Sequence, residues 1–511
     1  MSKRTLFIAF VVSLGGFLFG FDAGIISGVI SYAGPEFDLN DAQTGWAVSS
    51  PSFAAMLAML VAGRLSDRIG RKKILIIVAL LYAVSALFSA YAISYEMLYI
   101  ARMIGGVAFG AALILAPTYI AEVALAENRG KLVSIQQLNI VLGFFAAFLC
   151  NNYLNSLNTS GESFLTDETV WRWMLGIELA PALLYMALLF FVPRSPRWLY
   201  LTNKVEEAKR VLNALHGNER ARGEIAIIEK NIRERPKKDK ASIGQLFAPA
   251  LRFIVVVGLV IGVLQQITGI NAIYFYATSI FKQTGIGTDA SFTSGVLLSF
   301  TTVLFTLVAM VLIDRMGRRP LLLVGIAGIA LSLGLCAYGF NKATYELTTS
   351  EIAQLEKFDT SKLNGIANKT YANDLDFKEA MISALGSQTY GKNEGDILAL
   401  ATNMNATLVL IGILGFVACF AFSLGPVMWV MLSELYPNKY RGLAIGFIGF
   451  VNSFSSWLVQ QIFPWELSNL GNAMSFLIFA VTALLGFFVL LKILPETKGK
   501  SLEQIEAELV K

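Results

Sequence analysis

Histidine occurs once and cysteine three times among 511 residues, and these scarcities close off several kinds of chemistry. His216 stands alone in a charged stretch, so histidine-based acid–base catalysis and histidine metal sites are excluded. Cys150, Cys336 and Cys419 have no CxxC spacing and lie in or beside apolar runs, where they read as packing residues. No GxxxxGK[ST] phosphate loop is present, which argues against an ATP-driven pump. Charged residues make up only 15% of the chain. The first apolar run continues through Asp22 without a small-residue cleavage site, so no cleavable signal peptide is expected. Neither a cofactor nor a metal is called for.

What fills the chain is apolar. Hydrophobic residues reach 55%, which places the protein among integral membrane proteins. Twelve apolar segments of about 20 residues are long enough to span a bilayer. They begin near Leu6, Trp46, Ile74, Met97, Leu132, Met174, Phe253, Phe292, Leu321, Thr407, Ala444 and Ala473. The expected fold is therefore all-α and membrane-embedded. Residues 194–252 carry fourteen Lys or Arg against seven acids, whereas 341–405 carry six Lys against nine acids. Basic loops stay inside, so the first stretch is expected in the cytoplasm and the second outside. The basic turns Arg64 to Lys73 and Arg315 to Arg319 join Lys3 and Arg4 on the inner side, with both termini cytoplasmic.

One stretch breaks the apolar pattern. Gln265, Gln266 and Asn271 follow the run from Phe253 to Leu264, where a spanning helix is deep in the bilayer. An unpaired amide there costs roughly 2 to 7 kcal/mol. On a straight helix the three point to about 0°, 100° and 240°, too dispersed for one seam, and Gly269 between them offers a break. Two readings follow: amides that hold helices together, or a midplane site for a hydroxyl-rich solute, since amides both donate and accept.

The chain also repeats itself. Asp67-Arg68-Ile69-Gly70-Arg71 recurs 247 residues later as Asp314-Arg315-Met316-Gly317-Arg318, and Glu122 with Arg129-Gly130 recurs 312 residues later as Glu434 with Arg441-Gly442. The 65-residue difference matches the polar stretch 341–405. Two motifs in the same order predict two six-helix halves, 1–193 and 253–494, joined by a cytoplasmic linker 194–252 and followed by a tail 495–511. These charges mark the cytoplasmic side, and they also suit a gate latch pairing across the gap between halves. Gly63, four before Asp67, is expected to let two helices approach closely.

These residues together resemble the sugar porter family of the major facilitator superfamily, which includes proton-coupled xylose carriers and facilitative glucose carriers. The resemblance covers nearly the whole chain. It rests on Gly63 to Lys73, Arg102 with Gly106 and Gly110, Pro117-Thr118-Tyr119 with Glu122 and Arg129-Gly130, and Trp171-Arg172. It continues through Ser195-Pro196-Arg197, Gln265-Gln266 with Gly269 and Asn271, Gly425-Pro426 with Trp429, Glu434 with Arg441-Gly442, and Pro495 to Gly499. The resemblance implies a monomeric alternating-access carrier with a monosaccharide bound by Phe19, Gln137, Gln265, Gln266, Asn271, Gly425, Trp429 and Asn452. It implies a cytoplasmic gate of Gly63, Asp67, Gly70, Arg71, Glu122, Arg129, Asp314, Arg318, Glu434 and Arg441.

Energy coupling centres on Asp22, read as the one acid deep in a span, where a charge costs at least roughly 2.5 to 3.5 kcal/mol. It is either a proton carrier or a permanent ion-pair partner of Arg102. Proton-coupled members of the family have an acid at the matching position and uniporters an uncharged amide, so the resemblance implies proton symport across the cytoplasmic membrane. A uniporter and a sugar sensor are the alternatives. An enzyme acting on sugars would need a second placed acid or a nucleophile with its base. Four positions depart from the family pattern: Arg194 reverses a usual Glu, Phe275 replaces Tyr, Ala108 replaces Gly, and Ser453 stands where Trp is common. Trp457, one turn on, is expected to restore an aromatic wall shifted toward the cytoplasm and to admit a ketose or bulkier sugar. Residues 196–236 read as short amphipathic helices, with Val205, Ala208, Val211 and Leu212 on one face. The outer stretch, with Ile352, Leu355, Phe358 and Leu363, reads either as a helical cap or as partly disordered.

Overall fold

Residues 3–161, 164–233, 242–355, 359–437, 439–499 and 504–505 are described here from a computed structural model. Helices dominate. Five long helices open the chain: α1 (Lys3–Glu36), α2 (Asp41–Ile69), α3 (Arg71–Ala90), α4 (Tyr95–Val123) and α5 (Arg129–Thr159). The sixth span is broken into α6 (Val170–Gly176) and α7 (Leu179–Phe191). Three shorter helices follow, α8 (Pro196–Leu201), α9 (Val205–His216) and α10 (Asn218–Arg233), then the turn α11 (Ile243–Leu246).

The next span is α12 (Pro249–Ile267) with α13 (Ile270–Phe275), continued by α14 (Ala277–Lys282). Gly269 between them has φ +88°, a left-handed value that glycine adopts without a Cβ penalty. Helices α15 (Thr288–Met316) and α16 (Arg318–Asn341) lead to an insertion of β1 (Thr344–Tyr345), α17 (Thr349–Ile352), α18 (Asp374–Leu385), α19 (Ser387–Ala401) and β2 (Thr402–Asn403). The chain then forms α20 (Ala406–Phe422), α21 (Leu424–Leu435) and α22 (Arg441–Ile493). At 1.5 Å per residue α22 would run about 80 Å, far beyond a bilayer core of about 30 Å. It turns at Gly471, whose φ is 77°, and so supplies two spans. Among the described residues, eleven helical segments are long and apolar enough to cross; with α22 counted twice they give the expected twelve, and each expected start falls within or beside its helix.

Packing gathers the chain into two compact units. One comprises Met1–Ile25, Ser50–Ala147 and Arg172–Lys240. Its core holds the buried Tyr82, Tyr119 and Tyr185 among alanines and leucines, and each hydroxyl finds a backbone carbonyl, of Gly15, Pro193 and Val12. Beneath it α8 and α9 bury Trp198, Leu199, Ala208 and Leu212, as the amphipathic pattern requires; Pro236 lies outside the described residues. His216 meets the Val123 carbonyl at 3.0 Å, and burial lowers its pKa from the usual imidazole value.

The other unit comprises Ile26–Ser49, Phe148–Trp171 and Ala241–Lys511. It includes this insertion, which is a structured cap. Strands β1 and β2 pair antiparallel, Thr344 opposite Asn403. Tyr345 stacks on Phe377 at 5.4 Å over a core with Ile352, Leu355, Leu363 and Met381. Of the apolar residues expected there, Phe358 lies outside the described residues.

Candidate functional site

The amides of the broken span meet. In the second unit, the kink at Gly269 folds Asn271 back so that its Nδ2 donates to Gln266 Oε1 at 2.7 Å and to Ser456 Oγ at 2.6 Å. Gln266 Nε2 donates to Gln265 Oε1 and to Asn452 Oδ1, both at 3.2 Å. Asn452 Nδ2 donates to Gln265 Oε1 at 2.8 Å and to the Gly262 carbonyl at 2.7 Å. Gln265 Nε2 in turn reaches the carbonyls of Leu424 and Gly425, in the first turn of α21 after the break at Ser423, at 3.0 and 3.3 Å. Gln265, Gln266 and Asn452 are buried and Asn271 half-buried, so every amide hydrogen-bonds within an apolar surround.

Two members were missed in the sequence. Ser456 and Gln460 extend the network, with Gln460 Nε2 donating to Ser456 Oγ at 2.8 Å. Asn452, Ser456 and Gln460 recur every four residues along one face of α22, a signal the sequence carries. Trp429 presents an indole that is 44% exposed. Trp457 packs on Phe454 at 5.5 Å. Because α22 starts at Arg441 and runs to the cap at Gly471, Trp457 is nearer the cap than Ser453; the expected shift toward the cytoplasm is corrected. Phe275, the tyrosine replacement, is buried.

The first unit holds the remaining residues. Phe19 packs against Phe109 at 4.8 Å and Phe144 at 6.4 Å, and Gln137 is exposed on α5. Arg102 Nη1 donates to Asp22 Oδ1 at 3.2 Å, with both side chains almost fully buried. Glu178, 3% exposed at the break between α6 and α7, interacts electrostatically with both. The expectation of a single deep acid is thus corrected. Glu178 was overlooked because it lies four residues from the start of its apolar run, where it reads as part of a helix end.

Among the described residues, the repeated charges form ion pairs within each half. In the first unit Arg71 Nη2 lies 2.6 Å from Asp67 and 3.1 Å from Glu122, and Ser195 Oγ donates to Glu122. Trp198 Nε1 donates to the Asp67 carbonyl at 3.0 Å, and its ring lies against Gly70, whose φ is +102°. A cavity of about 450 Å³ opens between Asp67, Arg71, Thr118, Glu122 and Arg197; ionic side chains line it, so it belongs to this cluster rather than to the amides. Arg194 pairs with Glu207 of α9 at 3.4 Å. Among the described residues, no atom lies within 4 Å of a Cβ built on Gly63.

The second unit repeats the arrangement. Arg318 Nη2 pairs with Glu434 at 2.9 Å, and Thr497 Oγ1 donates to Glu434 as Ser195 does to Glu122. Arg441 donates to the Tyr436 carbonyl. The side chains of Arg129 and Asp314 lie outside the described residues. Glu496 accepts the backbone N–H groups of Arg318, Arg319, Thr497 and Lys498 at 2.8–3.1 Å. Burial opposes its charge, but these donors outweigh that and hold its carboxyl below the ordinary glutamate value. The depressed value means a contribution to stability present above the unfolded glutamate pKa and lost as pH falls through the folded one. An anion at the start of α16 is worth about 0.3 to 1 kcal/mol. Glu496→Gln is expected to lower the thermal midpoint at pH 7 by a few degrees, with the gap to wild type closing below about pH 4; a gap independent of pH would assign the effect to packing.

A family model described as sugar (and other) transporter matches residues 8–353 and 381–509, leaving 354–380 unmatched. The arabinose-proton symporter of Bacillus subtilis (strain 168) is 33% identical over 506 residues, covering 99% of this chain and 95% of that protein. The galactose-proton symporter of Escherichia coli (strain K12) is 31% identical over 511 residues, covering 99% and 95%. Among solved structures, the inward-open conformation of the xylose transporter from E. coli superimposes with a TM-score of 0.75 at 27% identity, covering 98% of this chain and 99% of that one.

Proposed function

The chain belongs to the sugar (and other) transporter family, and from that premise we propose that it carries a monosaccharide together with a proton across the cytoplasmic membrane by alternating access. It works as a monomer with both termini in the cytoplasm. Its moving bodies are the six-helix halves 1–193 and 253–494, joined by the linker 194–252.

The observation that carries the coupling is the buried Asp22–Arg102 pair with Glu178 in electrostatic reach. Two carboxylates and one guanidinium leave one surplus negative charge, and a dry surround tolerates that only with a proton or another cation present. Uptake into proteoliposomes under an inward proton gradient tests the reading: a sugar from a pentose, hexose and ketose panel should accumulate above its outside concentration, and a protonophore should remove the excess. Uptake that stops at equal concentrations would make the protein a uniporter, with Asp22 and Arg102 a permanent pair.

The sugar is held by Gln265, Gln266, Asn271 and Asn452, with Phe19, Gln137, Gly425 and Trp429 completing the site. The four amides bond one another, so binding exchanges partners rather than desolvating free groups, and the indole of Trp429 offers a face to the ring carbons. Losing a hydrogen bond to a neutral hydroxyl costs about 0.5 to 1.5 kcal/mol, and stranding a buried partner about 1 to 3. Gln265→Ala also removes one acceptor from Asn452 Nδ2 and is expected to weaken binding about tenfold by calorimetry. Unchanged affinity in both Gln265→Ala and Asn271→Ala would move the site elsewhere.

A further inference from the structure

The cap contains the stretch the family model leaves unmatched, and its contacts are uneven. Toward the second half it is anchored deeply. Asp374 accepts both the backbone N–H and the side-chain amide of Asn472 at 2.8 and 2.6 Å, at the Gly471 turn of α22. Lys378 donates to Ser468 at 3.1 Å, and Glu394 accepts from Gln283 at the end of α14 at 2.9 Å. Lys282, buried beside that amide, interacts electrostatically with Glu394 and Asp396 of α19.

Toward the first half, the described contacts of α19 with the end of α1 run from the exposed Ser387 and Asp38 to the half-buried Gly391 and Pro35, and Asp396 acts electrostatically on Tyr32 of α1. Helix α19 starts after Gly386, which has no side chain to cap it. Asp38, just beyond α1, stands there instead, its Oδ1 accepting from Ser387 Oγ at 3.0 Å. One turn further, the bare Gly391 lies on Pro35 of α1, at a distance where a Cβ would stand 3.4 Å from the proline ring. A carboxylate at a helix N-terminus is favourable, and the exchange of this contact with water is cheap because both groups are exposed.

We propose that the cap is an outer strap: it rides on the second half and, through α19, holds the outer end of α1, so that the outward-closed state is favoured and opening to the outside must release Asp38 and Pro35 from Ser387 and Gly391. This rests on the alternating-access reading, but its test does not require transport. Deep anchoring on one side and a light, water-exchangeable contact on the other is the asymmetry a releasable strap needs; equal anchoring on both sides would instead weld the outer ends together.

The test uses the full chain in nanodiscs, with Cys150, Cys336 and Cys419 replaced by alanine and spin labels on Ala42→Cys and Leu470→Cys at the outer ends of the two halves. Pulsed electron resonance then reads the outer distance. Ser387→Asp, which sets two carboxylates face to face, should raise the long-distance population about threefold, and Ser387→Lys should lower it about threefold. In an Asp38→Asn background both effects should vanish. Changes confined to α19 itself would have the opposite sign, since Asp suits and Lys disfavours a helix N-terminus, and would persist in that background. Coincident distance distributions in the variants, or shifts that survive Asp38→Asn, overturn the strap.

Discussion

Asp22→Asn is expected to abolish concentrative uptake while leaving sugar binding and equilibrative exchange within about threefold of wild type. The amide is nearly isosteric with the carboxyl and can still accept from Arg102 Nη1, now 3.2 Å from Asp22 Oδ1, so the packing of α1 on α4 is kept. What it cannot do is exchange a proton between the two sides. Each pH unit across the membrane supplies about 1.4 kcal/mol, so a one-to-one symporter loses about a tenfold accumulation per unit of gradient. Glu178 sharpens the test. If Glu178 carries the proton and Asp22 only neutralises Arg102, Glu178→Gln will abolish accumulation and Asp22→Asn will not. An Asp22→Asn protein that still concentrates sugar under an inward proton gradient refutes Asp22 as the coupling group.

Much of this arrangement was legible because bilayers demand long apolar runs, and charges inside them stand out. Gln265, Gln266 and Asn271 were conspicuous for that reason, and Gly269 between them predicted the break that brings Asn271 onto Gln266. Partners were harder to read. The repeated motifs identified Arg71, Glu122, Arg318 and Glu434, but an ion pair within one half and one across halves leave the same sequence trace. Glu178 needed knowledge that its helix returns to Asp22, more than 150 residues earlier in the chain. The cap was undecided because its apolar residues are spread through polar sequence, and only packing of Tyr345 on Phe377 shows that they converge.

Glycine numbers reveal still less about partners, and here the structure makes its largest stability prediction. Gly16, Gly20 and Gly24 recur every four residues along α1, and α5 crosses them. A Cβ on Gly20 would stand 2.0 Å from the Ile140 carbonyl oxygen, and one on Gly143 would stand 2.1 Å from that of Phe17. The obstructing atoms are helix backbone, which cannot rotate aside, so either methyl must push the helices apart along the stripe where Gly24 also meets Ala147. Such close crossings are how membrane helices gain packing without a hydrophobic drive. Gly20→Ala and Gly143→Ala are each expected to cost about 3 kcal/mol or more, a large share of a typical 5 to 15, seen as a lower thermal midpoint and less monodisperse protein on size exclusion. Gly34→Ala, with nothing within 4 Å of the new methyl, should be neutral or slightly stabilising. The double variant carries the sharper expectation. Once one methyl has parted the helices the second enters at little further cost, so Gly20→Ala with Gly143→Ala should fall short of the sum of the singles by at least about 1 kcal/mol. Additive costs would mean that the two glycines do not share one crossing, and harmless single variants would mean that α1 and α5 do not touch there at all.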